Sequence, residues 1–209
     1  MEYVIEIIKT RECDEYIDFW EESAEEFSKW PGFVQGQLFS VEQAIRDTHY
    51  DLLSLYAFKT RDDAQRFIDD KAAPVPVEPR GVEREVCRLV IELGALTALE
   101  GKQRWLVNPF EIGEEEIPGV LDMWDKAKDH MVAKPGFLNA RLFRAQGDSF
   151  RYGLINIAQW QSAEHFMQAL NDKAYDRHRE RSENYKLHPS ICALVGEVEG
   201  SDVYSVAAQ

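Results

Sequence analysis

Cysteine is scarce in this chain of 209 residues: Cys13, Cys87 and Cys192 are odd in number, far apart and without metal-ligand spacing. A disulfide framework and a cysteine-based zinc site are thereby disfavoured, and reduced, buried thiols are the expectation. No apolar run reaches the roughly 18 residues that a membrane-spanning helix needs. The opening Met-Glu-Tyr-Val-Ile has an acid at its second position and no basic stretch before an apolar core, so a cytoplasmic location is expected. Positive charge is also short, with 24 Lys and Arg against 38 Asp and Glu and a net charge of −14. Such a chain repels phosphate backbones and anionic headgroups, which argues against nucleic acid and membrane as partners. There is no Gly-rich phosphate loop, nucleophile elbow or helical His-Glu-x-x-His, so nucleotide, serine-hydrolase and zinc-protease readings have no support. What is present is a hydrophobic content of 44%, enough for one large domain or two of about 100 residues.

An internal repeat organises the chain. Trp20, Pro31-Gly32-Phe33 and Leu38-Phe39 return 104 positions later as Trp124, Pro135-Gly136-Phe137 and Leu142-Phe143. With small changes of offset, Tyr50 matches Tyr152, Asp70-Lys71-Ala72 matches Asp172-Lys173-Ala174, and Cys87 matches Cys192. A duplication is expected, with halves over 1–94 and 103–198, a linker over 95–102 and a polar tail over 199–209. Each half reads as a short apolar strand, an amphipathic helix closed by Pro-Gly, two strands, a helix and a last strand. The strands are placed at Tyr3 to Ile8, Phe33 to Phe39, Tyr50 to Phe58 and Val86 to Leu93, and at Trp105 to Phe110, Phe137 to Phe143, Tyr152 to Trp160 and Ile191 to Val198. Thr60 and Ser162 stand where each second helix would be N-capped. The order βαββαβ is ferredoxin-like, so the fold class is α+β.

The stretch Tyr152 to Trp160 carries the chemical signal. Counted by two, Tyr152, Leu154, Asn156, Ala158 and Trp160 share one face, while Gly153, Ile155 and Ile157 take the other. Both faces are mostly apolar, so the strand should be covered by helices on one side and a second sheet on the other. A buried amide without partners costs about 1–3 kcal/mol, so Asn156 needs a protein neighbour or a ligand. The step from Asn156 to Trp160 spans about 13 Å, the length of a fused three-ring aromatic.

Both halves resemble the antibiotic biosynthesis monooxygenase family of dimeric α+β barrels, the second half more closely. The resemblance lies in Val107-Asn108-Pro109-Phe110-Glu111, Pro135-Gly136-Phe137, Asn156-Ile157-Ala158-Gln159-Trp160-Gln161-Ser162 and His188-Pro189. It implies two tandem ferredoxin-like repeats whose sheets pack into a barrel within one chain. In quinone-forming members an Asn-x-x-x-Trp strand is the catalytic signature, and polycyclic phenols or anthrones are oxidised by O2 without metal, flavin or haem. The resemblance therefore implies no cofactor, with a small hydrophobic aromatic ligand and O2 as partners. It carries over to Asn156 and Trp160. The family's tyrosine falls on Phe166 and its arginine near Glu180, which Arg179 and Arg181 flank. In the first half Ser54 and Phe58 replace the amide and indole, and Glu6 replaces Asn108, so one site is expected. A haem-degrading branch is disfavoured because its ligating histidine falls on Arg179, and arginine is no iron ligand.

The expected catalytic set is Asn156 and Trp160 as donors to a developing oxyanion and His178 as base. Asn108, Arg141, Phe166, Tyr175 and Arg179 are the expected substrate-binding residues. Each has a plainer alternative. Asn156 could pair structurally with Asn108, Trp160 could be ordinary core, His178 a solvated helix residue and Arg141 a paired strand arginine. Trp20 and Trp124 are expected in the core, and His188 in a loop. A non-oxidative polyketide cyclase or a non-catalytic binding protein is the rival function. Exposed helices of mixed charge permit a homodimer of the fused pair.

Overall fold

The computed structural model describes residues 1–70, 81–95, 101–148 and 150–201. Lys71 and Ala72 of the repeat, most of the linker over 95–102 and most of the tail over 199–209 lie outside the described residues. The first half runs β1 (Glu2–Lys9), α1 (Cys13–Phe27), β2 (Phe33–Ala44), β3 (Leu52–Phe58), α2 (Arg61–Asp69) and β4 (Gly81–Gly94). The second runs β5 (Arg104–Phe110), α3 (Ile117–Val132), β6 (Phe137–Ala145), β7 (Leu154–Trp160), α4 (Ala163–Leu170), a 3-10 turn (Lys173–Tyr175), α5 (Asp176–Ser182) and β8 (Ser190–Glu199). No helix among the described residues is long and apolar enough to cross a membrane.

The eight strands close into one antiparallel barrel in the order β1-β3-β2-β8-β5-β7-β6-β4. Each half contributes four consecutive strands. Their outer edges join where β2 pairs with β8 and β4 with β6. Strand alternation then separates two environments. Tyr3, Ile5 and Ile7 of β1, Leu53 and Leu55 of β3, Val107 of β5, and Ile155 and Ile157 of β7 fill the barrel interior. The residues between them face the helices. In the first half this outer layer is a dense aromatic cluster that includes Trp20, Phe27, Phe33, Tyr56, Phe58 and Phe67.

Several expected boundaries move, each for a reason of pairing. Strand β2 runs on to Ala44 because Val41, Gln43 and Ala44 find partners in Cys192, Ile191 and Ser190 of the other half. Strand β4 is longer at its start because Gly81 to Val86 pair with β1. Strands β3 and β7 begin at Leu52 and Leu154, later than expected. Tyr50 and Tyr152 precede them and turn their rings into the barrel interior, so Tyr152 does not share the face of Asn156. The helix starts agree with expectation: Thr60 Oγ1 accepts from the Asp63 amide at 3.2 Å and Ser162 Oγ from the His165 amide at 3.3 Å. Gly32 and Gly136 have positive φ of 73° and 84° in the Pro-Gly turns. A Cβ there would collide with Asp63 or His165 of the following helix, so only glycine fits.

Glu6 is the anomaly of the first half. It is fully buried on the helix-facing side of β1, opposite Ser54 on β3 and Arg84 on β4. Arg84 Nη2 lies 3.0 Å from Glu6 Oε1, off the hydrogen-bonding direction, and the Tyr56 hydroxyl donates to Oε2 at 3.4 Å. Burial dominates over these partners and raises the carboxyl pKa to about 7. A raised acid binds protons in the folded state that the unfolded state has released. Its contribution to stability is therefore full below the ordinary value of 4.5 and lost as pH rises through about 7. The stability of the wild type relative to Glu6→Gln should fall by roughly 2 kcal/mol between pH 5 and pH 8 in chemical denaturation. A difference that stays flat across that range would contradict the assignment.

Candidate functional site

The outer layer of the second half is built differently. Between the helix-facing side of β5, β6 and β7 and the helices α3, α4 and α5 lies a cavity of about 280 Å³. That is near the lower limit of ligand pockets, which run from about 300 to 1,000 Å³. Asn108 on β5 and Asn156 and Trp160 on β7 form its polar floor, while Met123, Trp124 and Met131 of α3 stand over it. The first half closes one side with Ile45 and Arg46, just past β2, and Leu93 of β4.

Asn108 and Asn156 are register partners across β5 and β7, occupying the places held by Glu6 and Ser54 in the first half. The structural pairing weighed for Asn156 thus exists as strand register but not as a hydrogen bond. The Oδ1 atoms of both are buried and without a partner among the described residues. Trp160 Nε1 is likewise buried and unpartnered. Its ring is fixed edge-on between Phe137 and Phe166, each with its centroid 5.4 Å away. Three orphaned groups on one cavity floor cost about 1–3 kcal/mol each. An amide can turn either its oxygen or its NH2 to the cavity, so this floor can accept or donate.

A second group lies along α5 and the turn before it. His178 and Tyr175 line the cavity, and His130 on α3 packs against both, with ring centroids 6.2 Å from His178 and 5.2 Å from Tyr175. Burial, reinforced by His130, Arg181 and Arg177, lowers the pKa of His178 below its ordinary 6.5. The imidazole is therefore neutral at physiological pH and can accept a proton. Burial raises the pKa of Tyr175 against the opposing charges of Arg46 and Arg179, so its phenol stays protonated and can donate one.

Of the residues expected at the site, Asn108, Asn156, Trp160, Phe166, Tyr175, His178 and Arg179 meet at this cavity. Arg141 does not. A bulge between Phe137 and Asn139 reverses the alternation of β6, so Phe137 faces the cavity while Arg141 points into the barrel. There it donates to Gln37 Oε1 at 3.2 Å and lies over the Phe143 ring. Trp124, expected in the core, is half-buried at the cavity wall. Arg46 and Leu93 carry no signal in the sequence because the halves meet only in three dimensions. His130 sits in the last turn of α3, where its placement among charged residues suggested nothing. His188 lies in the loop before β8, as expected, and is buried there with Nε2 3.0 Å from Glu111 Oε2.

No family model matches the chain, and no curated protein does. Solved structures do. An anthrone oxidase-like protein superposes with a TM-score of 0.74 at 12% identity, over 96% of this chain and 93% of that one. A provisionally assigned monooxygenase from Fusobacterium nucleatum gives 0.63 at 8% identity, over 96% and 94%. A regulator of staphylococcal pathogenesis gives 0.55 at 10% identity, over 91% and 97%. At such identities the likeness shows the fold alone, a whole-chain α+β barrel of the kind the resemblance in sequence implied.

If the floor is built for a ligand, removing an orphan should help the empty protein, because replacing an unsatisfied buried group by an apolar one of similar size is neutral or stabilising. Asn156→Leu should keep or raise the melting temperature of the ligand-free protein. A loss of stability above about 1 kcal/mol would mean that Asn156 has a structural partner.

Proposed function

We propose that the chain is a monooxygenase that oxidises a hydrophobic polycyclic phenol or anthrone with O2 and needs no bound cofactor. Residues 103–198 carry the site and residues 1–94 are a degenerate unit that walls it. The observation that supports this most is the floor itself, where three unpartnered polar groups, on Asn108, Asn156 and Trp160, face a largely apolar cavity. Trp160 Nε1, and a carboxamide turned to present its NH2, are neutral donors of the kind that stabilise charge as it develops. The charged residues of the lining are Arg46, Lys128 and Arg179, with no carboxylate, although the chain as a whole is acidic. Lys128 and Arg179 are paired with Asp125 and Asp176, whereas Arg46 is held by the Ser182 hydroxyl and carbonyl. This lining favours the anionic form of an acidic aromatic.

In the reaction, neutral His178 takes a proton from the reacting carbon of the anthrone. Asn156 and Trp160 donate N–H groups to the resulting oxyanion. The carbanion passes one electron to O2, and the radical pair combines into a carbon-bound peroxide. Cleavage of its O–O bond with loss of the remaining C–H proton leaves the quinone carbonyl, and the other oxygen leaves as water. One O2 and one anthrone thus give one quinone and one water. Tyr175 is placed to protonate the departing oxygen, the role that Phe166 lacks the hydroxyl to perform.

That missing hydroxyl also favours the second reading, a binding protein or non-oxidative cyclase on the same scaffold. A regulator shares the barrel, so the fold itself is compatible with either. Oxygen uptake by chelator-treated protein with a model anthrone separates them. Asn156→Ala and Trp160→Phe should each lower kcat/KM by about 10²-fold. Wild-type activity should hold through the ordinary imidazole range and fall only at more acid pH, where the depressed His178 becomes protonated, and His178→Gln should remove that limb. Uptake at the uncatalysed rate in wild type, or unchanged in all three variants, would sink the oxidase reading.

A further inference from the structure

At one end of the barrel, away from the carboxamide floor, the loop between β2 and β3 meets the end of β5 and the start of β8. His49 from the loop, Glu111 after β5 and His188 before β8 bring one ligand atom each to within 4.8 Å of one another. His188 is buried, Glu111 half-buried and His49 exposed. Their chemistry is not that of an ordinary polar cluster, because the hydrogen bonds of His188 constrain its two ring nitrogens. Nδ1 lies 2.6 Å from the carbonyl oxygen of Asp47, which can only accept, so Nδ1 carries a proton. In a neutral ring Nε2 is then a bare lone pair. It faces another acceptor, Glu111 Oε2, at 3.0 Å. Two lone pairs at that distance repel, and a cation between them would satisfy both.

We propose that His49, Glu111 and His188 bind a divalent cation of the zinc class, and that this ion fastens the first-half loop to the second half. Two imidazoles and one carboxylate suit such an ion and leave a coordination position for water. A metal about 2.1 Å from both Nε2 and Oε2 subtends roughly a right angle at their observed separation, and a widening of about half an ångström gives the tetrahedral angle. The outer contacts are those that usually orient metal ligands. The Asp47 carbonyl holds His188 through Nδ1, the Asp47 carboxylate lies 3.3 Å from His49 Nε2, and Lys186 occupies the other oxygen of Glu111 at 2.6 Å. The Tyr152 ring meets the His188 ring edge-on, and the Tyr50 hydroxyl donates to the His188 carbonyl at 3.2 Å, so the anchor of the site is rigid.

The site borders the cavity without belonging to it. Leu187 and Pro189, on either side of His188, line the cavity, as do Ile45 and Arg46 from the loop that carries His49. The Ile45 amide already donates to the Pro189 carbonyl at 3.0 Å. An ion bound by His49 and His188 would clamp this seam and with it the position of Arg46 at the cavity wall. Its role is structural, and its binding does not depend on whether the cavity is catalytic.

The test uses the full chain after chelator treatment, titrated with Zn2+ and with Co2+. One equivalent should bind at micromolar concentration or below, Co2+ should give the visible bands of a nitrogen-and-oxygen site, and Zn2+ should raise the melting temperature by about 5 °C. His49→Ala removes only an exposed side chain, so its metal-free melting temperature should match the wild type while Zn2+ affinity falls tenfold or more. Glu111→Gln should weaken binding in the same way. Absence of stoichiometric binding, or affinity unchanged in both variants, would overturn the proposal. So would a nitrogen NMR signature of doubly protonated His188 that persists with Zn2+ in excess, since it assigns the gap to a proton.

Discussion

Everything in this molecule rests on the pairing of strand edges between its halves. A four-stranded ferredoxin-like sheet leaves two edges with unpaired amides and carbonyls, which in water invite association with other chains. Here β2 finds β8 and β4 finds β6, so the two sheets satisfy each other and the barrel has no edge left. Closure fixes which face of every strand is interior. The interior is packed mainly with apolar side chains, with Arg141 paired to Gln37 among them, and the cavity lies outside, under the helices. Closure also carries the end of β2 past its own sheet, which is how Ile45 and Arg46 come to stand beside residues of the second half.

The two outer layers differ at equivalent positions of the repeat. At the register pair opposite the helices, the first half places Glu6 and Ser54 and the second Asn108 and Asn156. Around the first pair, Trp20 donates to the Tyr56 hydroxyl at 2.9 Å and aromatic rings occupy the space. Around the second, Phe27 has no bulky counterpart at Met131, and the indole of Trp160 stays unpartnered beside open volume. One outer layer is filled, and the other keeps the cavity.

Much of this was legible in the sequence. The repeat of Trp, Pro-Gly-Phe and Leu-Phe located the elements, because amphipathic helices and short apolar strands follow their own periods. Alternation placed Asn156 and Trp160 on one face, and it held because β7 is regular along its length. It failed for Tyr152, which precedes the strand, while Arg141, expected to bind substrate, is turned into the barrel by a single bulge in β6. Bulges have no reliable mark in composition. Arg46 and Leu93 were out of reach for another reason: their neighbours at the cavity are distant in sequence and belong to the other half.

The central claim is that one cavity, in the second half, takes an aromatic ligand while its counterpart is filled. Calorimetric titration with a hydroxyanthraquinone tests it most directly. The account predicts one site per chain, lost in Ala127→Trp, which fills the cavity from α3 without touching the polar floor. Two equivalent sites, or one site that survives Ala127→Trp, would contradict it.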